Sequence, residues 1–197
     1  MALTLDDIAQ LLAGPGQRQY GHEAVSQLDH ALQCAALAEE AGETAETVVA
    51  ALLHDLGHLL APGSVQQEEE KSEEGEAMPA RDDLHQYIAL PFLHGVFPPG
   101  VLAPIRLHVE AKRYLCTQGG YWDTLSPASK HSLVLQGGPH TQDEADAFMR
   151  EPFAEESLRV RRYDDLAKVR DKATPPLAHY LRKMALVALP QQQRPAP

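Results

Sequence analysis

The chain has 197 residues, of which 44% are hydrophobic, and it carries a formal net charge of −11. That length fits one domain with a single core, and the acidic balance argues against nucleic acid as a partner, because phosphate backbones are bound by clustered Lys and Arg. No apolar run approaches the ~20 residues of a membrane span, and Asp6 and Asp7 stand where a secretory signal would be basic. We therefore expect a single soluble domain over residues 1–197, in the cytoplasm and away from membranes.

Helical periodicity dominates the chain and alternating strand patterns are nearly absent, which predicts an all-α protein. The predicted helices cover about residues 4–12, 26–41, 44–60, 83–95 and 101–115, then 141–150 and a last helix that opens at Thr174 and Pro175. Pro91 is expected to kink or end the fourth of these. Residues 64–80 contain the acidic run QQEEEKSEEGE at 66–76 and are expected to form a solvated loop. Residues 190–197 are expected to be a flexible tail.

Histidine and aspartate interrupt two otherwise apolar, alanine-rich helical segments. The stretch AALLHDLGHLL, residues 50–60, holds His54, Asp55 and His58, and His30 lies in the preceding segment. Adjacent residues on a helix point about 100° apart, and neither His54 nor Asp55 can be buried cheaply without a partner. A metal ion would supply that partner, because imidazole nitrogen and carboxylate oxygen suit iron, manganese or zinc.

Further histidines and aspartates could complete such a site. The expected set has four imidazoles and two carboxylates, enough for two metals that share one bridging carboxylate: His30, His54, Asp55, His85, His108 and Asp164. Two positions stay open, since His94 could replace His85, and Asp165 could replace Asp164. The alternative is that each histidine is an ordinary core or surface residue.

The order of His30, the pair His54 and Asp55, and a later aspartate resembles the HD-domain superfamily. Its members are all-helical metal proteins, mostly phosphohydrolases, with a smaller branch of diiron oxygenases that includes inositol oxygenases and phosphonate-cleaving oxygenases. The resemblance covers about residues 18–172. It implies an HD-domain helical bundle with its core at about residues 18–185.

Three stretches resemble the phosphonate-cleaving branch in particular. Tyr20 and Glu23, in YGHE, match a pair that acts in that branch as a lid, where the Tyr occupies an iron and the Glu meets the substrate's ammonium group. Lys112, one turn after His108, would meet a phosphonate dianion. The stretches at 126–139 and 161–168 resemble later motifs that add Ser129 and Arg161 to the phosphonate contacts.

The resemblance implies a reaction and its cofactors. These are two iron ions, as an Fe(II)/Fe(III) pair, with O2 as co-substrate and a small organophosphonate as substrate, in a monomer or small homo-oligomer. His58 would contact the substrate hydroxyl or phosphonate, and Asp55 would bridge the irons. The implied substrate is (R)-2-amino-1-hydroxyethylphosphonate, cleaved to glycine and phosphate, and its trimethylammonium analogue stays open. The competing hypotheses are a phosphohydrolase of nucleotides or phosphate esters and a non-catalytic metal-binding module.

Other conspicuous residues are expected to be structural. Cys34 is interpreted as a small buried thiol, and the presence of only two cysteines fits a reducing compartment. Tyr121 and Trp122 are expected to pack in a loop. Four histidines are expected at the surface or in loops: His22, His131, His140 and His179.

Overall fold

The computed structural model describes residues 2–21, 23–60, 69–71, 77–79 and 81–190. The helices found in these ranges are α1 (Leu5–Ala13), α2 (Gln27–Glu40), α3 (Ala45–Leu53), α4 (Leu56–Leu60), α5 (His85–Ile88), α6 (Leu90–Leu93), α7 (Pro99–Leu115), α8 (Tyr121–Thr124), α9 (Pro127–Leu135), α10 (Gln142–Phe148), α11 (Ala154–Leu166) and α12 (Leu177–Val187). A short 3-10 turn at Pro15–Gln17 follows α1. The prediction of an all-α protein is confirmed.

A two-stranded antiparallel hairpin lies in the acidic segment. Strand β1 (Glu69–Lys71) pairs with β2 (Ala77–Pro79), with Glu70 opposite Met78. The expectation of a loop over residues 64–80 is therefore corrected at these two strands, and the rest of that segment lies outside the described residues. Most of the expected tail, residues 191–197, also lies outside them.

Helix starts were predicted well where a side chain caps the first turn. Thr4 caps α1 and Ser26 caps α2, each in a reciprocal capping box with an Asp three residues later. Thr141 and Glu144 form the expected box at α10. The last helix begins later than predicted, because its N-cap is Pro176 rather than Thr174. A residue that precedes proline resists the helical conformation, so the run of two prolines delays the helix.

The predicted helix at 44–60 is two helices, with α3 ending at Leu53 and α4 starting at Leu56. At this break, Nδ1 of His54 donates to the carbonyl of Ala51 at 2.8 Å. In a continuous helix that carbonyl would accept the amide of Asp55. The predicted helix at 83–95 also divides, into α5 and α6, with Pro91 in the first turn of α6, where its missing N–H costs nothing.

Three helices escaped prediction: α8, α9 and α11. In α11 most residues are charged or polar, and the buried ones include Ser157, Arg161 and Asp164. A buried helical face that is itself polar gives a weak hydrophobic periodicity. The sequence marked this segment by its charged residues, among them Arg161 and Asp164, and not by a hydrophobic period.

Helices α2, α3, α7 and α11 pack on one another at the centre of the fold. Small side chains line α2 and α3, where Ala35, Ala38, Ala50 and Ala51 are essentially fully buried. Small residues let helix backbones approach closely, so polar side chains from neighbouring helices can meet between them. A smaller apolar cluster on the other side of α7 joins it to α10 and α11: Leu107, Ala111, Leu115, Phe148, Ala154 and Leu158. Across the described ranges, no helix has the length and apolar character to cross a bilayer.

Candidate metal centre

Five parts of the chain bring their polar side chains together at the buried centre of the bundle. His30 comes from α2, His54 and Asp55 from the break between α3 and α4, and the others from α5, α7 and α11. Six residues meet there, each at most 7% exposed: His30, His54, Asp55, His85, His108 and Asp164. The structure thus brings the six expected ligands into one cluster.

Backbone carbonyls orient three of the four imidazoles. Nδ1 of His30 donates to the carbonyl oxygen of Ala167 at 2.9 Å. Nδ1 of His54 donates to that of Ala51 at 2.8 Å, and Nδ1 of His108 to that of Ile105 at 2.7 Å. A carbonyl oxygen can only accept, so each Nδ1 carries a proton. The Nε2 atoms are therefore the ones that present lone pairs to the centre of the cluster.

The Nε2 atoms meet in pairs. His30 Nε2 lies 3.3 Å from His54 Nε2, and His85 Nε2 lies 2.9 Å from His108 Nε2. Ligand atoms bound at about 2.1 Å to one ion lie roughly 3 Å from one another, so each pair has the spacing of two ligands on one metal. The pairs define two adjacent positions for an ion.

Asp55 faces both pairs. Its Oδ2 lies 3.3 Å from His54 Nε2 and 3.6 Å from His30 Nε2, whereas its Oδ1 lies 3.3 Å from His85 Nε2 and 3.7 Å from His108 Nε2. One oxygen is directed to each pair. A carboxylate in this position could bridge two ions, one beside each histidine pair.

Asp164 lies beside the first histidine pair. Its Oδ1 lies 3.4 Å from His30 Nε2, and its Oδ2 lies 3.8 Å from His54 Nε2. Asp165 instead faces Arg161 and Tyr121. Similarly, His85 lies in the cluster, whereas His94 is exposed at the end of α6. Both alternatives left open by the sequence thus lie away from the six residues.

The cluster fits metal ions. Two buried oxygens, Asp55 Oδ2 and Asp164 Oδ1, have no hydrogen-bond donor within the part of the chain that the structure describes. Burial lowers the pKa of His30 to about 4, whereas at His54 the Asp55 and Asp164 carboxylates outweigh burial and raise the pKa to about 9. The two carboxylates favour positive charge beside them, and the nitrogen and oxygen donors suit first-row transition metals. The thiol of Cys34, fully buried as predicted, lies 3.6 Å from His30 Nε2.

A further carboxylate links two imidazoles next to the second position. Asp83 Oδ1 accepts from His85 Nδ1 at 2.7 Å, and Asp83 Oδ2 lies 2.8 Å from His58 Nδ1. The two rings stack, with centroids 4.1 Å apart. A carboxylate behind a ligating histidine fixes its orientation and tautomer. His58 itself lies beside the cluster, 3.8 Å from Asp55 Oδ1.

Tyr20 lies over the first position. Its ring stacks on His30 at 4.0 Å, and the turn that carries it is closed by a bond from Tyr20 N to the Val25 carbonyl. Glu23 lies in the same turn, where its Oε1 accepts from Ser126 Oγ at 2.9 Å and lies 3.3 Å from Lys168 Nζ. The segment before α2 thus closes one side of the cluster.

Cationic side chains lie on the α7 and α11 sides. Lys112 is 2% exposed and donates to Ser132 Oγ at 2.9 Å. Burial and the neighbouring Arg161 lower the pKa of Lys112 to about 7. An entering anion would favour the charged form of this lysine.

Ser129 and Arg161 are buried close to these groups. Ser129 Oγ accepts from Lys168 Nζ at 3.3 Å. The Arg161 guanidinium holds Asp164 at 2.6 Å and also pairs with Asp165, so in this arrangement it orients carboxylates. Its expected contact with a phosphonate stays a prediction.

A family model and three relatives match this chain. The family model is the HD domain, matched at residues 28–121. The hydroxymethylphosphonate dioxygenase of Gimesia maris is 38% identical over 192 residues, covering 90% of this chain and 92% of the relative. The chain belongs to the HD-domain family.

A second relative with a named activity supports the same branch, and a third relative is uncharacterised. The [1-hydroxy-2-(trimethylamino)ethyl]phosphonate dioxygenase (glycine-betaine-forming) of Leisingera caerulea is 36% identical over 166 residues, covering 84% of this chain and 80% of the relative. An uncharacterised protein of Acanthamoeba polyphaga mimivirus is 35% identical over 168 residues, covering 84% of this chain and 73% of its own length. The resemblance to the phosphonate-cleaving branch of the HD-domain oxygenases is confirmed.

Several residues of the HD-domain site were not found from the sequence. Asp83 lies in no motif, and Ser132 and Lys168 lie in the stretches 126–139 and 161–168 but were not assigned to the site. Tyr121, expected in a packed loop, donates to Asp165 from helix α8. His140, expected at the surface, is buried and bonds Glu110 at 2.7 Å, because the chain after α9 returns to α7. His22 lies outside the described residues.

Proposed function

We propose that the protein is a diiron oxygenase that cleaves the carbon–phosphorus bond of a 1-hydroxyphosphonate in phosphonate catabolism. The products are phosphate and the carboxylate that retains C1. The reaction balances as R–CH(OH)–PO3²⁻ + O2 → R–COO⁻ + HPO4²⁻ + H⁺, so the substrate supplies all the electrons and no external reductant is needed. The observation that carries this proposal is Asp55, with one oxygen toward each of two histidine pairs, together with the buried Lys112 one turn after His108.

The ligand sets follow from the cluster. One iron would be held by His30, His54, Asp55 and Asp164, and the other by His85, His108 and the second oxygen of Asp55. When bound, the irons would supply open coordination positions for the substrate and the one-electron steps by which dioxygen is reduced. A site with three or four protein ligands per ion leaves room for both.

Lys112 provides the binding side for the phosphonate. It comes from the turn of α7 that follows His108, and its ammonium group is buried. Ser132 holds the ammonium group in place, and Ser129 lies one turn earlier on α9. A charge-assisted contact in a buried site both binds and orients the dianion, which places C1 beside the metals.

His58 and Tyr20 border the remaining space. Because Asp83 holds Nδ1 of His58, the other ring nitrogen is the one that faces Asp55 and an entering substrate. We assign it to the hydroxyl or phosphonate oxygens of the substrate. Tyr20, stacked on His30, would move aside when substrate binds and would exclude water before that.

The group attached to C1 distinguishes the candidate substrates. The sequence suggests 1-hydroxy-2-aminoethylphosphonate, cleaved to glycine, or its trimethylammonium analogue, cleaved to a betaine. The two relatives with named activities differ at this point, since one acts on hydroxymethylphosphonate and the other on the trimethylamino compound. The chemistry at C1 is the same for all of them.

The proposal is tested by iron content and by the need for oxygen. We expect about two irons per chain and, with a 1-hydroxyphosphonate, phosphate release in air but none under argon. An electron paramagnetic resonance signal of a coupled Fe(II)/Fe(III) pair should change when the substrate is added without oxygen. Equal phosphate release with and without oxygen would contradict the oxygenase and would indicate the hydrolytic chemistry found elsewhere in the superfamily.

A further inference from the structure

Glu23, the acid expected to meet a substrate ammonium group, is already paired with a cation of the protein. Its Oε1 lies 3.3 Å from Lys168 Nζ, and the side chains are 20% and 14% exposed, respectively. Ser126 Oγ donates to the same carboxylate oxygen at 2.9 Å. Charges this shielded from water interact more strongly than those of a surface ion pair. The positive charge of Lys168 therefore already compensates the negative charge of Glu23 before any substrate enters.

The backbone around Lys168 is fixed, so its position is built into the fold. On one side, the carbonyl of Ala167 accepts from His30 Nδ1 at 2.9 Å. On the other, Val169 exchanges two bonds with Gln33, from its amide at 3.1 Å and to its carbonyl at 2.9 Å. Gln33 is 1% exposed on α2. Lys168 is thereby held against the helix that carries His30.

The ammonium group of Lys168 lies where a substrate ammonium group would be recognised. Besides Glu23 it reaches Ser129 Oγ at 3.3 Å, and it lies 5.8 Å from the centroid of the Tyr20 ring. An aromatic ring and a carboxylate are the two features that bind quaternary or primary ammonium groups. In this chain, the ammonium group of Lys168 already interacts with both the Glu23 carboxylate and the Tyr20 ring.

We infer that the site prefers 1-hydroxyphosphonates whose C1 substituent carries no positive charge, such as hydrogen or a short alkyl group. This rests on the proposed function and names its substrate class. An ammonium group entering next to Glu23 would lie within a few ångströms of Lys168, and like charges repel strongly in a partly buried site. A substituent without charge leaves the Glu23–Lys168 pair intact.

A matched pair of substrates tests the inference on the unmodified protein. (R)-1-hydroxypropylphosphonate and (R)-2-amino-1-hydroxyethylphosphonate differ only in a methyl group against an ammonium group. We expect kcat/KM for phosphate release to favour the uncharged member by about tenfold or more, as a like-charge contact predicts. The dissociation constant measured without oxygen should show the same order. Hydroxymethylphosphonate should also be accepted.

Variants test whether Lys168 is the cause. Lys168→Met should raise kcat/KM for the amine by about tenfold relative to the propyl compound, because it frees Glu23. The double variant Glu23→Gln/Lys168→Met should lose that gain, since no carboxylate remains. The control is Lys183→Met, which breaks another lysine–glutamate pair, with Glu39 at 2.8 Å, on α12. It should leave the preference unchanged.

The outcomes separate this inference from the proposed function. If the unmodified protein cleaves the amine as well as or better than the propyl compound, the inference is overturned and the proposed function stands. An unchanged preference in Lys168→Met would also overturn it. If no hydroxyphosphonate releases phosphate in air, the proposed function itself fails.

Discussion

The carbonyl oxygen of His85 lies 2.0 Å from the position that a β-carbon on Gly57 would occupy. The backbone of α4 therefore touches the backbone that carries a candidate ligand, which only glycine permits. In HDLGH the glycine allows the segment with Asp55 and His58 to approach α5.

Gly57→Ala should displace His85. The new methyl group meets backbone rather than a flexible side chain, so we expect a loss of roughly 1–3 kcal/mol in the free energy of unfolding and a lowered metal content. Thermal unfolding and elemental analysis would measure both. Gly119→Ala is the control, because nothing lies within 4 Å of its added β-carbon. Full metal content in Gly57→Ala would show that α5 can move without disturbing the site.

Asp83→Asn should weaken the second metal position. An amide can accept from one of the two Nδ1 atoms that Asp83 now holds, but not from both. Loss of such a supporting carboxylate typically lowers metal affinity about 10- to 100-fold. Competition with a chelator of known affinity would measure this. Asp82→Asn is the neighbouring control, and an unchanged affinity in Asp83→Asn would assign the carboxylate to packing alone.

Asp164 and Asp165 should differ sharply when each is changed to Asn. Asp164 lies against His30 and His54, whereas Asp165 lies against Arg161 and Tyr121. We therefore expect Asp164→Asn to lose metal from the first position, and Asp165→Asn to keep it. Metal counted per chain after gel filtration is the measurement. The reverse result would mean that α11 is rotated relative to this structure.

Lys112→Met should impair substrate binding more than folding. A buried charge-assisted contact is worth about 1.5–3 kcal/mol, so KM for a hydroxyphosphonate should rise roughly 10- to 100-fold. The metal content should stay the same, since Lys112 bonds Ser132 rather than a ligand. Steady-state kinetics with Lys183→Met as control would test this. An unchanged KM would remove Lys112 from the phosphonate site.

The capping box of α10 should make stability depend on acid pH. The backbone and hydroxyl of Thr141 lower the pKa of Glu144 from 4.5 to about 2. Because the carboxyl pKa is lower in the folded state, the ionised Glu144 stabilises the fold at pH values above 4.5. That stabilisation is lost as the pH falls from 4.5 toward 2. Glu144→Gln should thus lower Tm at pH 7 and have no effect near pH 2. Asp143→Asn, which removes a carboxylate of the same turn that is not part of the capping box, is the control.

The sequence predicted those features that are local along the chain. His54, Asp55 and His58 stand at helical spacing, and a polar residue in an apolar helix is visible without any structure. The Glu23–Lys168 pair joins residues 145 positions apart. Asp83 acts through a bond to His58 on helix α4. The break between Leu53 and Leu56 lies inside an apolar, helical pattern, so periodicity does not reveal it.

The bond from His30 to the carbonyl of Ala167 joins the first candidate ligand to the segment just after the last one. During synthesis, five of the six ligands leave the ribosome well before Asp164, and the first metal position cannot close until α11 follows. Capture of an ion at that proposed position would therefore be a late event in the maturation of the chain. A nascent polypeptide halted before α11 should expose its imidazoles to solvent and to competing metals.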